Sequence, residues 1–198
     1  MTSQFALRQV RENDKWLLWR WRNSPRIREV SLNNLEIPEA AHDAWFEANY
    51  AKMRDRTILV EASGRPVGWF QIEKWDESDR RGEWGIAIGE PESVPLGFGG
   101  ALPLLALSHA FDRLGATTMT ARVLDVNRNV RSMMTRLRVP VTDHVVDPTR
   151  EARGEPADLT VYEVAPGDWS GIRRRGQELL PSSVWRIFEQ LTTKAVEG

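Results

Sequence analysis

Cysteine is absent from the 198 residues. That excludes a disulfide framework, a thiolate metal site and a cysteine nucleophile, and it fits a reducing compartment. Histidine is scarce as well: His42, His109 and His144 are scattered along the chain, which argues against a metal centre. Neither sign of charge dominates, with 27 Lys and Arg against 28 Asp and Glu. No global field recruits nucleic acid or an anionic membrane, so a polyanionic ligand needs a local site, and a small molecule fits better than a long polymer. Long apolar runs are missing too, none approaching the ~18 residues that span a membrane. The opening MTSQFALRQVREND lacks the basic-then-apolar order of a signal peptide. There is neither an internal repeat nor a low-complexity tract. These absences predict a cytoplasmic protein without nucleic acid or membrane partners and without metal.

What is present is enough for one well-cored α/β domain and a tail. FALRQV (5–10) alternates as a half-buried strand does. Asn13 or Asp14 can cap a helix running to about Trp21, and Pro25 stops or bends it. From Pro38 a second helix sets Ala41, Ala44, Trp45 and Ala48 on one stripe. RTILVEA, a turn at SGRP and VGWFQIEKW read as an antiparallel hairpin, followed by a strand in EWGIAIGE. A glycine-rich loop and an apolar helix to Leu114 come next, with Gly115 as stop. TTMTARVLDV is strand-like, NRNVRSMMTRLR is a helix with Met133, Met134 and Leu137 inward, and VTDHVV and DLTVYEVA are late strands. After Trp169 come the basic RRR and the helical SSVWRIFEQLTTKAV, whose Val184, Trp185, Ile187, Phe188 and Leu191 form an apolar stripe. The order implies a mixed sheet with helices on both faces. Residues 1–169 are expected to form the α/β domain, and 170–198 a helical extension with a packing or homodimer role.

Gly97-Phe98-Gly99-Gly100 stands between a strand and a helix. Unpaired first-turn N–H groups and the helix dipole favour an anion there, and glycines let the backbone approach phosphates without a Cβ in the way. A lone Gly-x-Gly-Gly is a weak motif; its position after a strand and before a helix tips the reading to a phosphate cradle.

With that order the chain resembles the GNAT superfamily of acyl-CoA-dependent N-acyltransferases over about residues 5–169. The residues that carry the likeness are LRQVREND, WRNSPRIR (21–28), HDAWF (42–46), GRPVGWFQIE (64–73), EWGIAI (83–88), the glycine loop, LDVNRNV (124–130) and DLTVYEV followed by DW. Within the superfamily it looks like the branch holding the pseudaminic acid pathway acetyltransferase, which acts on a UDP-linked amino sugar, and the ribosomal-protein N-terminal acetyltransferases. It departs from the usual pattern at Val94, where Arg or Gln is common, and at Met134, the place of a thiolate-protonating tyrosine. Arg138-Val139 replaces Gly-Phe, and Arg122 stands where the sugar-acetylating relatives tend to carry an acid.

The resemblance implies a central seven-stranded GNAT-like sheet and acetyl transfer from acetyl-CoA to the primary amine of a nucleotide-linked amino sugar. A protein α-amine as acceptor, and a degenerate domain that binds CoA without turnover, are the alternatives. Acetyl-CoA is then held by Trp84, Gly85 and Ile86 on the strand, by Leu96, Gly97, Phe98, Gly99, Gly100 and Ala101 in the loop, and by Asn127, although helix capping alone explains an Asn there. Only a neutral amine attacks a thioester, so a base is needed, and the candidates rank Glu83, Asp125, His42. Ser132 and Tyr162 are the nearest acids, and water can serve instead. Arg22, Asn23, Arg26 and Arg28 lie in the segment that shapes the acceptor side in relatives, and Arg80 and Arg81 flank the Glu83 strand; guanidinium forks suit a diphosphate or carboxylate. The nine tryptophans are mainly core, with Trp45, Trp69, Trp75 and Trp84 flat enough to stack on a base or sugar.

Overall fold

Alternation sets the first strand. In the computed structural model, which describes residues 4–147, 157–194 and 196, β1 (Phe5–Gln9) buries Phe5 and Leu7 and pairs antiparallel with β2 (Thr57–Ala62). β2 turns into β3 (Arg65–Asp76) through Ser63 and Gly64, both at positive φ (51° and 76°), the conformation that suits the twist of a two-residue hairpin. β4 (Arg81–Ile88) continues the antiparallel meander. β5 (Thr118–Leu124), β6 (Val141–Asp147) and β7 (Ala157–Val164) complete seven strands in the order β1-β2-β3-β4-β5-β7-β6. The expected seven-stranded mixed sheet with helices on both faces is therefore observed.

One face carries α1 (Lys15–Asn23), α2 (Pro25–Arg28) and α3 (Glu39–Met53), which with Leu59 and Trp69 enclose a cluster of Val10, Leu18, Trp21, Ile27 and Phe46. Pro25 sits in the first turn of α2, where its missing N–H costs nothing. The other face carries α4 (Ala101–Ser108), α5 (Arg128–Leu137), α6 (Pro166–Leu179) and α7 (Ser182–Thr193). All eight residues of α4 are buried, because the sheet lies on one side of it and α6 and α7 on the other. The helix widens into a π turn, His109–Arg113, and Gly115 at φ 66° ends it.

Residues Val184, Trp185, Phe188 and Leu191 of α7 join the main core with Trp169 and Ile172 of α6. Gly176 of α6 lies against Leu104, where a Cβ would come within 2.4 Å of Cδ1. Ala195, at the end of the helix expected over 182–196, lies outside the described residues, as do 1–3, 148–156, 197 and 198 of the expected domains. Among the described residues no helix is long and apolar enough to cross a membrane.

Candidate active site

The only parallel pair among the described residues, β4 and β5, holds register at just three positions, Arg81↔Thr118, Gly82↔Met119 and Glu83↔Thr120. Beyond Glu83 the strands part. β4 keeps its pairing with β3 as far as Ile88, so from Trp84 onward its other edge is unpaired. A cavity of about 350 Å³ fills this fork, lined by Glu83 to Ala87 of β4 and Ala121 to Val123 of β5. It reaches both faces of the sheet. Asn127, Val130 and Met134 bound it on the α5 side, while Arg22 and the loop after α2 bound it on the other with Trp69, Gln71 and Glu73.

Two carboxylates face each other at the mouth, since Glu73 is the cross-strand partner of Glu83. The pairing of β3 with β4 slips just after Glu73, and Lys74 there takes φ 49°, a bulge of the kind that re-aims side chains beside sites. Lys74 Nζ donates to Glu83 Oε1 at 2.7 Å, and Arg122 reaches Glu83 Oε2 at 3.1 Å. Glu73 has no such partner among the described residues. Burial within the cleft walls, and then the negative charge of Glu83, push its carboxyl above the ordinary range, although the group itself remains open to the solvent in the cleft. Burial likewise lowers Arg22, with Glu73 opposing and Arg28 adding to that effect.

Of the residues expected in the site, Glu83, Trp84, Gly85, Ile86, Asn127 and Arg22 line the cleft. The Asn127 side chain also accepts from Val130 N at 3.4 Å, the helix cap that its position predicts. The glycine loop packs beneath α4: Gly97 is left-handed at φ 87°, Phe98 is buried and Leu96 exposed. A Cβ on Gly97 would come within 3.2 Å of Pro181, and one on Gly100 within 2.6 Å of Leu180, so the α6–α7 linker presses directly on this loop. A Cβ on Gly99 would meet only Ile88 Cδ1, at 3.4 Å.

The remaining candidates have other contacts and are not among the cleft-lining residues. His42 is buried among Trp16, Trp45 and Phe46, and its Nε2 lies 2.8 Å from the Lys15 carbonyl; burial lowers its pKa. A carbonyl can only accept, so Nε2 carries the proton and is engaged. Asp125 accepts from Thr160 Oγ1 at 3.0 Å and pairs with Arg131 at 3.3 Å. Asn23 clamps both backbone groups of Ile37, and Arg26 donates to the carbonyls of Ile88 and Gly89. Arg28 pairs with Glu36, and Arg81 lies 3.8 Å from Asp79. The Arg80 carbonyl accepts from Thr117 N. Met134 lines the cleft and offers no proton; Ser132 and Tyr162 do not line it. Among the described residues no group of three His, Asp or Glu gathers to hold a metal ion.

The Acetyltransferase (GNAT) domain family matches residues 4–139. The chain belongs to that family. This GNAT protein is an acyl-CoA-dependent N-acetyltransferase with acetyl-CoA as co-substrate. Solved structures share its fold. Spermidine N-acetyltransferase from Vibrio cholerae, in complex with CoA and spermine, superposes with a TM-score of 0.70 at 17% identity over 84% of this chain and 98% of that one. A Salmonella typhimurium protein solved with acetyl-CoA gives 0.63 at 18% identity over 81% and 93%. A domain from Methanocaldococcus jannaschii gives 0.62 at 22% identity over 82% and 99%. No curated protein matches the GNAT chain.

Proposed function

We propose that this acetyltransferase moves the acetyl group of acetyl-CoA to the primary amine of a nucleotide-linked amino sugar, with Glu73 as general base. The observation that carries the reading is the unpaired Glu73 carboxylate facing Glu83 at the mouth of the β4–β5 fork. The unpaired edge of β4 suits the amides of pantetheine, which can add to it as a strand does. Trp84 Nε1, buried in the cleft wall without a partner, is a donor awaiting an oxygen. Trp84, Gly85 and Ile86 would hold pantetheine, and the loop from Leu96 to Ala101 the pyrophosphate. The extension from residue 170 would brace that loop.

Glu73 takes the proton of the acceptor ammonium. The neutral amine then forms the C–N bond at the acetyl carbonyl as the C–S bond breaks, and the sulfur leaves as thiolate. A thiol of pKa ≈ 8.5 is a good leaving group and needs only solvent to reprotonate it, which agrees with Met134 at the usual acid position. The branch resemblance and the Arg22 guanidinium in the acceptor wall support a sugar nucleotide. A polyamine is the second reading, favoured by the two carboxylates and by the spermidine substrate of the Vibrio cholerae enzyme.

Thiol release as a function of pH tests the base. Glu73→Gln should lower kcat/KM by about 10² or more. Glu83→Gln should shift the acidic limb to lower pH, because Glu83 raises the Glu73 pKa. A Glu73→Gln enzyme with wild-type rates across the limb refutes the assignment.

A further inference from the structure

Buried N–H groups without an acceptor are rare, because each forfeits its bond to water. Among the described residues six buried side-chain polar atoms have no partner, and three of them fall in the single stretch from Arg22 to Asn34: Arg22 Nη1, Arg28 Nε and Asn34 Nδ2. All three are donors. Arg22 lines the cleft and is tied by Nη2 to the carbonyl of Asn33, which also lines it, and Asn34 follows in the chain with only 4% of its surface exposed. Arg28 meets Glu36 through Nη1 at 3.4 Å, which leaves its Nε unused. A buried guanidinium N–H left without an acceptor in the wall of a cleft calls for an anion, and the guanidinium fork matches phosphate and carboxylate oxygens.

We propose that Arg22 forms an anion subsite on the acceptor side of the cleft, so that the acceptor carries a phosphate ester or a carboxylate besides the amine presented to Glu73. This inference rests on acetyl transfer taking place in the fork. It separates the two acceptor readings: a polyamine, cationic along its length, would set positive charge beside Arg22, whereas an amino sugar bearing phosphate satisfies both the carboxylate and the guanidinium that line the cleft.

Thiol release from acetyl-CoA, measured with spermidine, glucosamine, glucosamine 6-phosphate, a UDP-linked amino sugar and an α-amino acid, tests the subsite. The phosphate and carboxylate arms distinguish the two anion sources. At least one anionic amine should exceed both spermidine and glucosamine in kcat/KM by tenfold or more. Arg22→Gln should then raise KM for that acceptor at least tenfold more than it raises KM for glucosamine, and Arg22→Lys should recover part of the loss. Spermidine as the best acceptor, or an Arg22→Gln effect equal for every amine, overturns the subsite. Titration of the full chain with pyrophosphate, and separately acetate, with saturating CoA to occupy the glycine loop, gives a readout free of turnover. Binding at least tenfold weaker in Arg22→Gln than in the wild type supports the subsite even if no amine releases thiol, an outcome that would sink the acetyl-transfer reading alone. Absence of Arg22-dependent binding of either anion overturns the subsite even if some amines are acetylated.

Discussion

Gly99→Val separates a ligand-binding loop from a folding hinge. Of the three loop glycines only Gly97 has positive φ. Gly99 therefore pays no left-handed penalty on substitution, and its new Cβ would meet only the mobile end of Ile88 at 3.4 Å. Valine is a slightly better helix former than glycine, so the net change in stability should stay within about 1 kcal/mol. In a chain of this size that is roughly 2–4 °C in Tm. Affinity for CoA should change far more. If backbone N–H groups of the loop bind the pyrophosphate, the valine branches obstruct them, and losing two charge-assisted hydrogen bonds at about 1.5–3 kcal/mol each costs about 3 kcal/mol or more. That exceeds a hundredfold in Kd. Calorimetric titration with CoA, and with a pantetheine fragment lacking the nucleotide, measures both halves: CoA should weaken at least a hundredfold while the fragment binds as it does to wild type. Gly97→Val is the contrasting control, because φ 87° and the 3.2 Å approach to Pro181 make it destabilising by about 1–3 kcal/mol whatever the ligand. A folded Gly99→Val protein with CoA affinity within about threefold of wild type would refute the cradle, a limit set well below the hundredfold loss expected from two hydrogen bonds.

Arg8 is buried and held by Asp14 through two hydrogen bonds (2.6 and 2.8 Å) and by Glu61, which together keep its pKa raised. Asp14→Ala leaves Arg8 Nη2 without its acceptor, although Glu61 and the Gln9 carbonyl still engage the rest of the guanidinium, and removes the acceptor for Arg11 N, so chemical denaturation should show a loss of roughly 3 kcal/mol. A loss under 1 kcal/mol, as for a surface pair, would contradict it. His109 is buried with Nε2 donating to the Asp55 carbonyl, and burial lowers its pKa below the ordinary 6.5. The unfolded chain therefore binds this proton at higher pH than the fold does, so the stabilising contribution is present above 6.5 and lost as pH falls through the folded value. Urea midpoints measured downward from neutral pH should decline, and His109→Gln should flatten that decline; an unchanged slope would show that His109 does not titrate differently on folding.

β1 was legible because its side chains alternate between a buried and a more open face, whereas β2 and the middle of β3, buried on both faces, read as apolar runs joined by the Ser63-Gly64 hairpin, which carries its own turn signal. The fork was legible only as an order of elements. His42 attracts a catalytic reading by its ordinary pKa, yet Trp45 and Phe46 three and four residues on share its helix face, and they bury it. Glu73 was missed for the opposite reason. Near the end of a polar strand it reads as solvated, and only the β3–β4 register, a long-range property, sets it opposite Glu83. Arg26 and Asn23 resemble ligand groups in sequence because nothing local reveals that distant backbone carbonyls will occupy them. Which loop glycine takes the left-handed turn was equally hidden, since the Gly-Phe-Gly-Gly pattern permits several placements.

The contact of Leu180 and Pro181 with the glycine loop joins two parts of the chain that are far apart in sequence. If this loop is the proposed pyrophosphate cradle, nucleotide affinity and the seating of α7 are two readings of one packing equilibrium, and free-energy coupling of this kind runs equally in both directions. A ligand that needs the loop in its packed shape holds the tail down, and an agent that grips α7 and lifts it acts as a remote inhibitor without touching the cleft. If the loop holds the pyrophosphate as proposed, the grip on the acyl donor is tuned from the far side of α4.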